Sequence, residues 1–402
     1  MKPKPILLSW LLLSIVVLSG CWNSKELSHL AIVSAIGMDK LPGGSEYRIS
    51  FQVINPSEIS SGIQGGGGGR TTAVTVFADN GSTLFEVIRK ITRKVPRELL
   101  FSHVKVLVIG EALARDGIND LFDTFERLHQ TRLTTKVVIA RNTSAEEILG
   151  VITPMEKIPA DAIEGKLEFS SNLWSENLEY TIDDIIRALV SKGREPVISG
   201  VIVQGEIERG RKKSNVEMSR PDALIMVRGL AMFKDGKMVQ WLDGDKARGV
   251  IKLLGKIKSS VEELDCGSKK DAVTVELTKS KTRIKTSMHN GKPLLEISII
   301  EEGGLVDTKC ALDLARMDEL AMLEQRWSKR SAEVVTASIE AAQKQKSDIF
   351  GFGEALNRTN KLEWKRVQND WNTLFAKGEI RVVVDSYIRN SGMRIKSFLQ
   401  QS

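Results

Sequence analysis

One apolar run near the start of this chain decides where the rest of it must fold. Ile6 to Leu18 is thirteen nearly unbroken aliphatic residues, interrupted by Ser9, Trp10 and Ser14. A spanning helix needs about 20. Lys2 and Lys4 precede the run, and Leu18-Ser19-Gly20-Cys21 ends it. A basic start, a short apolar core and small residues at its end are the parts of an export signal. Small residues running into cysteine resemble the bacterial lipobox, in which the thiol takes a diacylglyceryl group and the chain is cut just before it. The alternatives are an ordinary cleaved signal with a chance cysteine, or an uncleaved anchor. Charge, length and flank together favour a lipoprotein signal over 1–20 and lipidation at Cys21. Two acyl chains, at about 0.8 kcal/mol per buried methylene, give lasting attachment. No later run approaches spanning length, so the body is expected to fold entirely outside the membrane.

Trp22 to Ser28 is a polar connector. The first strand pattern begins at about His29 or Leu30, and about nine extended residues reach roughly 30 Å at most, which keeps the body near the headgroups. Residues 21–402 carry 56 basic and 51 acidic side chains, a charge of +5. That mild excess suits a neighbour of anionic lipid or wall polymer, and export argues against a nucleic-acid partner. A chain of 402 residues, 42% hydrophobic and 27% charged, is globular and too long for one core. Beyond Cys21 there are two cysteines, Cys266 and Cys310. Outside the cytosol they permit a disulfide; two free cysteines packed as small hydrophobes is the other reading.

The apolar period changes repeatedly along the chain. Residues 30–54 read as a hairpin turned at Leu41-Pro42-Gly43-Gly44-Ser45, with Tyr47, Ile49, Phe51 and Val53 alternating. The consecutive glycines Gly65 to Gly69 read as a mobile loop. Thr71–Ala78 reads as a strand, stopped by Asn80-Gly81-Ser82, which offers an N-cap to a helix striped by Leu84, Val87, Ile88 and Ile91. Then follow a strand over Val104–Ile109, a helix over 117–129 and a strand over Lys136–Ala140. Thr143-Ser144-Ala145-Glu146 is a capping-box start, and a helix over Ile182–Val190 closes an N-terminal unit at 21–192.

Gly193-Arg194-Glu195-Pro196 marks a junction into a middle segment, 193–265, with a hairpin at Asp235-Gly236. The last unit, 266–402, has a second hairpin at Asn290-Gly291. A long helix over about 316–346 carries Leu320, Leu323, Trp327, Val334, Val335 and Ile339. More helix runs through Leu362, Trp364, Val367, Trp371 and Phe375, before a final strand over Ile380–Ile388. The expected fold class is mixed α/β (α+β), with roughly two to three sheet-plus-helix domains and the long C-terminal helix covering an antiparallel sheet.

Chemistry is scarce. His29, His103, His129 and His289 stand without a second His or Cys at metal-ligand spacing. No G-x-S-x-G occurs, and the glycine run fails the phosphate-loop register, with Gln64 where Gly is needed and Arg70 where Lys is needed. Asp183-Asp184 reads as a helix start. Arg209-Gly210-Arg211-Lys212-Lys213 reads as a solvated turn rather than a docking patch. Lys279 to Lys285 alternates cations outward, as a solvent face guarding a sheet edge or, less favoured, a contact for anionic headgroups. Nothing calls for an enzyme, a metal or a cofactor.

Several stretches, in one order across nearly the whole chain, resemble the Ger(x)C family, the C-subunit lipoproteins of bacterial spore germinant receptors. They are Cys21-Trp22-Asn23-Ser24-Lys25-Glu26-Leu27, Ala35-Ile36-Gly37-Met38-Asp39, Ser102 to Glu111, Gly229-Leu230-Ala231-Met232-Phe233 and Trp241-Leu242 with Arg248-Gly249. The most specific is Ser347-Asp348-Ile349-Phe350-Gly351-Phe352-Gly353, followed by Trp364 and Trp371. Asn23 departs from the acidic residue common there. The resemblance implies a three-domain mixed α/β protein, lipid-anchored on the outer face of the inner spore membrane. It implies a nutrient receptor formed with a membrane-spanning A subunit and a transporter-like B subunit. The motif residues Asp348, Phe350, Gly351 and Gly353 are expected to form an internal connection anchored in the core. A substrate-binding lipoprotein of a transporter is the alternative reading.

Overall fold

The computed structural model describes residues 26–60, 72–128, 130–313 and 316–390. Cys21 with its signal, Gly65 to Gly69 and His129 lie outside them. Among the described residues, no helix is long and apolar enough to cross a membrane.

The first sheet contains β1 (Leu30–Lys40), β2 (Tyr47–Ile54), β3 (Val74–Gly81), β4 (Glu98–Leu100), β5 (Val106–Gly110), β6 (Lys136–Ala140), β7 (Val197–Gly205), β8 (Ala223–Lys234) and β9 (Lys237–Leu242). Its nine strands run in the order β3-β2-β1-β5-β6-β7-β8-β9, with β4 beside the start of β1. The central strands β1, β5, β6 and β7 are parallel, and antiparallel strands extend both edges. Every residue of β5 is buried because helices cover both faces. Leu107 and Ile109 pack with Val87, Ile91, Phe122 and Ile185 on one side. Val106 and Val108 pack with Ile148, Leu149 and Ile163 on the other.

Local details differ from the sequence reading. β3 continues through Asn80 and Gly81, and the helix Leu84–Ile91 is capped by Thr83, whose hydroxyl accepts the Glu86 N–H at 3.1 Å. The expected helix over 117–129 is present as Asn119–Arg127, and a separate short helix, Glu111–Asp116, precedes it across Gly117 (φ 145°). The capping box pairs Ser144 with Glu147. Past Gly193 to Pro196 the sheet goes on: β7 pairs with β6, so the following segment contributes β7, β8 and β9 to the first sheet.

β10 (Ser260–Cys266), β11 (Lys269–His289), β12 (Lys292–Thr308) and β13 (Glu379–Asn390) make a second sheet in that order. The first three are antiparallel, but β13 runs parallel to β12, so the sheet is mixed. Asp235-Gly236 and Asn290-Gly291 turn their hairpins with φ positive at both residues of each pair. The helix Met317–Lys344 lies on one face and buries Leu323, Trp327, Val334, Val335 and Ile339. Leu230, Met232 and Leu242 of the first sheet pack into the same core as Leu277, Trp327 and Phe352, so the two sheets share one apolar interior.

Two further features lie in the C-terminal part. The structure brings Cys266 and Cys310 into disulfide contact, with Cα atoms 6.5 Å apart. Inside the core, the fully buried Lys252 Nζ lies 2.7 Å from Glu262 and 2.8 Å from Glu301, and donates to Ser331 Oγ at 2.8 Å. Burial pulls the Lys252 ammonium down, but the two carboxylates hold its pKa above the ordinary lysine value.

Candidate functional site

The stretch singled out by its motif runs from just past the end of the long helix into the first turn of the helix Phe352–Thr359. Asp348 is fully buried. Its Oδ1 accepts the backbone N–H of Phe350 (3.2 Å), Gly351 (2.9 Å) and Phe352 (3.2 Å). Its Oδ2 accepts the N–H of Gly353 (2.9 Å) and the indole N–H of Trp371 (2.8 Å). Successive amides converge on one carboxylate because the chain turns through Gly351 in the left-handed region, φ +82°. Burial pushes the Asp348 pKa up, while the amides of Gly353, Phe352 and Gly351 and the Trp371 indole act against that rise.

The same stretch grips the N-terminal part of the chain. The Glu195 N–H donates to the Asp348 carbonyl at 2.8 Å, and the Glu354 N–H to the Gly193 carbonyl at 3.3 Å. Ser191 Oγ donates to Glu354 Oε1 at 2.9 Å, and Ser347 Oγ to the Phe233 carbonyl. Gly193 and Gly353 meet backbone to backbone. A Cβ on Gly193 would stand 2.6 Å from the Glu354 nitrogen, and one on Gly353 2.7 Å from the Gly193 Cα. Aromatic rings close the far side: Phe350 is edge-on to Phe352, Phe352 stacks on Phe375, and Trp364 is edge-on to Trp371. Thr286 Oγ1 donates to the Phe352 carbonyl at 2.9 Å and ties the clasp to β11. Asp348, Phe350, Gly351 and Gly353 thus come together, joined by Ser191, Gly193 and Glu195. The sequence marks Gly193 to Pro196 only as a junction.

Glu195 sits at the rim of this clasp, beside a polar cleft of about 550 Å³. It accepts from Asn372 Nδ2 at 2.7 Å and from the Asp235 N–H at 3.0 Å. Burial, with a smaller push from Asp235 and Asp348, raises its pKa to about 7. A carboxyl with a raised folded-state pKa holds a proton that the unfolded chain has released. Its contribution to stability is therefore present at low pH and lost as pH rises from about 4.5 to 7. Discounted for partial solvent access, the loss is on the order of 1–2 kcal/mol. Urea unfolding at several pH values should show that slope in the native chain and a flatter one in Glu195→Gln; parallel slopes would remove Glu195 as its source.

The other candidates do not converge. His29, His103 and His289 are exposed. No group of three or more His, Cys, Asp or Glu among the described residues is arranged to hold a metal. Trp327, Trp364 and Trp371 are buried core. Lys279, Lys281, Arg283 and Lys285 lie on the exposed face of the second sheet.

A family model described as "Spore germination protein N-terminal domain" matches residues 23–203, and one described as "Spore germination B3/ GerAC like, C-terminal" matches residues 228–392. The chain belongs to the GerAC-like spore germination family. Within it, spore germination protein KC of Bacillus subtilis (strain 168) is 32% identical over 98% of this chain and 97% of its own length. Spore germination protein B3 of the same organism is 23% identical over 94% of this chain and 96% of its own length. The crystal structure of the GerBC protein is 18% identical, with a TM-score of 0.53 over 88% of this chain and 97% of that chain, a likeness of fold. The clasp spans the two GerAC-like units: Gly193 falls in the N-terminal match and Ser347 to Gly353 in the C-terminal one.

Proposed function

We propose that this protein is a lipid-anchored, non-enzymatic subunit of a nutrient germinant receptor. Cys21 carries the lipid and holds the body at the outer face of the spore inner membrane, and Cys266 and Cys310 are oxidised to a disulfide there. It acts through contacts with membrane-embedded A and B receptor subunits. The observation that carries this reading is similarity along the whole chain, with both GerAC-like units in order, to proteins named for spore germination. The sequence Leu18-Ser19-Gly20-Cys21 supports the anchor. The clasp supports a scaffold role, since it fixes one unit against the other rather than presenting reactive groups. A transporter-linked binding protein of two similar lobes fits less well, because the nine-stranded and four-stranded sheets are unlike.

Deleting the gene should abolish or strongly slow germination with at least one nutrient. Cys21→Ala should reproduce the defect and release the protein from the membrane fraction. Unchanged germination with every nutrient tested, with neither an A nor a B subunit co-purifying, would overturn the proposal. Tight one-to-one binding of a small molecule by the purified protein would favour the transporter reading instead.

A further inference from the structure

We propose that the groove beside His29 is a docking surface for anionic phospholipid headgroups, and that it sets which side of the body lies on the membrane. The inference rests on the lipid-anchor reading of Cys21. Glu26 to His29 is already folded, the His29 N–H donating to the Glu26 carbonyl at 3.0 Å. The chain between Cys21 and Glu26 can span only about 18 Å. Whatever surface surrounds His29 is therefore held at headgroup distance.

That surface has the chemistry of a membrane interface. His29 lines an open groove of about 610 Å³. Its floor is apolar, with Val95, Leu99 and Phe101 buried. On its rim Phe85 is 55% exposed, a large aromatic ring open to solvent. The Arg89 guanidinium stacks over that ring, 4.9 Å from its centroid. Arg97 and Arg127 are exposed on the same groove, Arg127 sharing its charge with Asp123 at 2.9 Å, and Glu98 is the acidic residue of the lining. An aromatic ring with guanidiniums around it places apolar surface at the acyl boundary and cations at the phosphates. Three guanidiniums outnumber the one carboxylate in this lining, whereas a second groove on the same unit is lined by Asp116, Asp120 and Asp235 with Lys237.

The test uses the mature chain from residue 21 carrying Cys21→Ser, so that no acyl chain contributes. It should sediment with phosphatidylglycerol-containing vesicles, far less with pure phosphatidylcholine vesicles, and be released by added salt. Arg89→Gln, Arg97→Gln and Arg127→Gln together should lower that partition by on the order of a hundredfold, with thermal unfolding unchanged. Phe85→Asp should lower it independently. Equal binding to both vesicle types, or phosphatidylglycerol binding unmoved by the triple change, overturns the proposal and leaves the groove free for a protein partner. The mass of native Cys21 reports on the anchor separately: an unmodified thiol defeats the anchor reading, while the vesicle result judges the groove.

Discussion

Asp348→Ala should destabilise the protein by about 4 kcal/mol. The magnitude follows from what the carboxylate leaves behind. Five donors converge on it, four backbone amides and the Trp371 indole, in a site where Asp348 has no exposure to water. Each buried donor without a partner costs about 1–3 kcal/mol, and relaxation recovers part of the sum. Asp348→Asn keeps one acceptor oxygen but turns an amide NH₂ toward donors, so an intermediate loss of about 2–3 kcal/mol is expected. Urea unfolding checks both through the midpoint and slope. An alanine variant within about 1 kcal/mol of the native protein would show that the amides find other acceptors and that the clasp is not a stability element.

The clasp also shows what a single sequence reveals. The half made by Asp348, Gly351 and Gly353 is local chemistry: an acidic cap and glycines beside aromatic packing groups, readable because donors and acceptor are neighbours in the chain. Its other half is not. Nothing around Gly193 says that its missing Cβ makes room for Gly353, because that contact joins two distant segments. The same division runs through the fold. Asp235-Gly236 and Asn290-Gly291 announce their turns because positive φ at both positions needs those residue types.

Segments that broke the expected period went unread. The helix Pro159–Leu173 buries small residues, Ala160 and Ala162, and exposes Phe169 and Leu173, which blurs its stripe. β7 is buried at every position from Val197 to Val201, so it never alternates, and its Gly200 faces the Trp241 ring. β10 points Glu262 into the core, where the pattern calls for an apolar residue.

Glu262 is there for Lys252, and that pairing gives the second large effect. Lys252→Met should destabilise by about 3–5 kcal/mol, although methionine fills similar space and is more apolar. The reason is again what remains. Glu301 is fully buried, Glu262 nearly so, and the ammonium 2.7–2.8 Å from each is the cation that neutralises them. Ser331 and Ser386 hydroxyls donate to Glu301 Oε2 at 2.6 and 3.4 Å but carry no charge. Removing the cation leaves two carboxylates close together in a low-dielectric interior. If uncompensated charge is the cause, adding Glu262→Gln and Glu301→Gln to Lys252→Met should recover most of the loss, since a neutral polar cluster needs no counter-ion. If lost packing is the cause, the triple variant should be no more stable than Lys252→Met alone. Denaturant midpoints of the native, single and triple variants separate the two, and a single variant as stable as the native chain would show that the cluster contributes nothing to holding the C-terminal core.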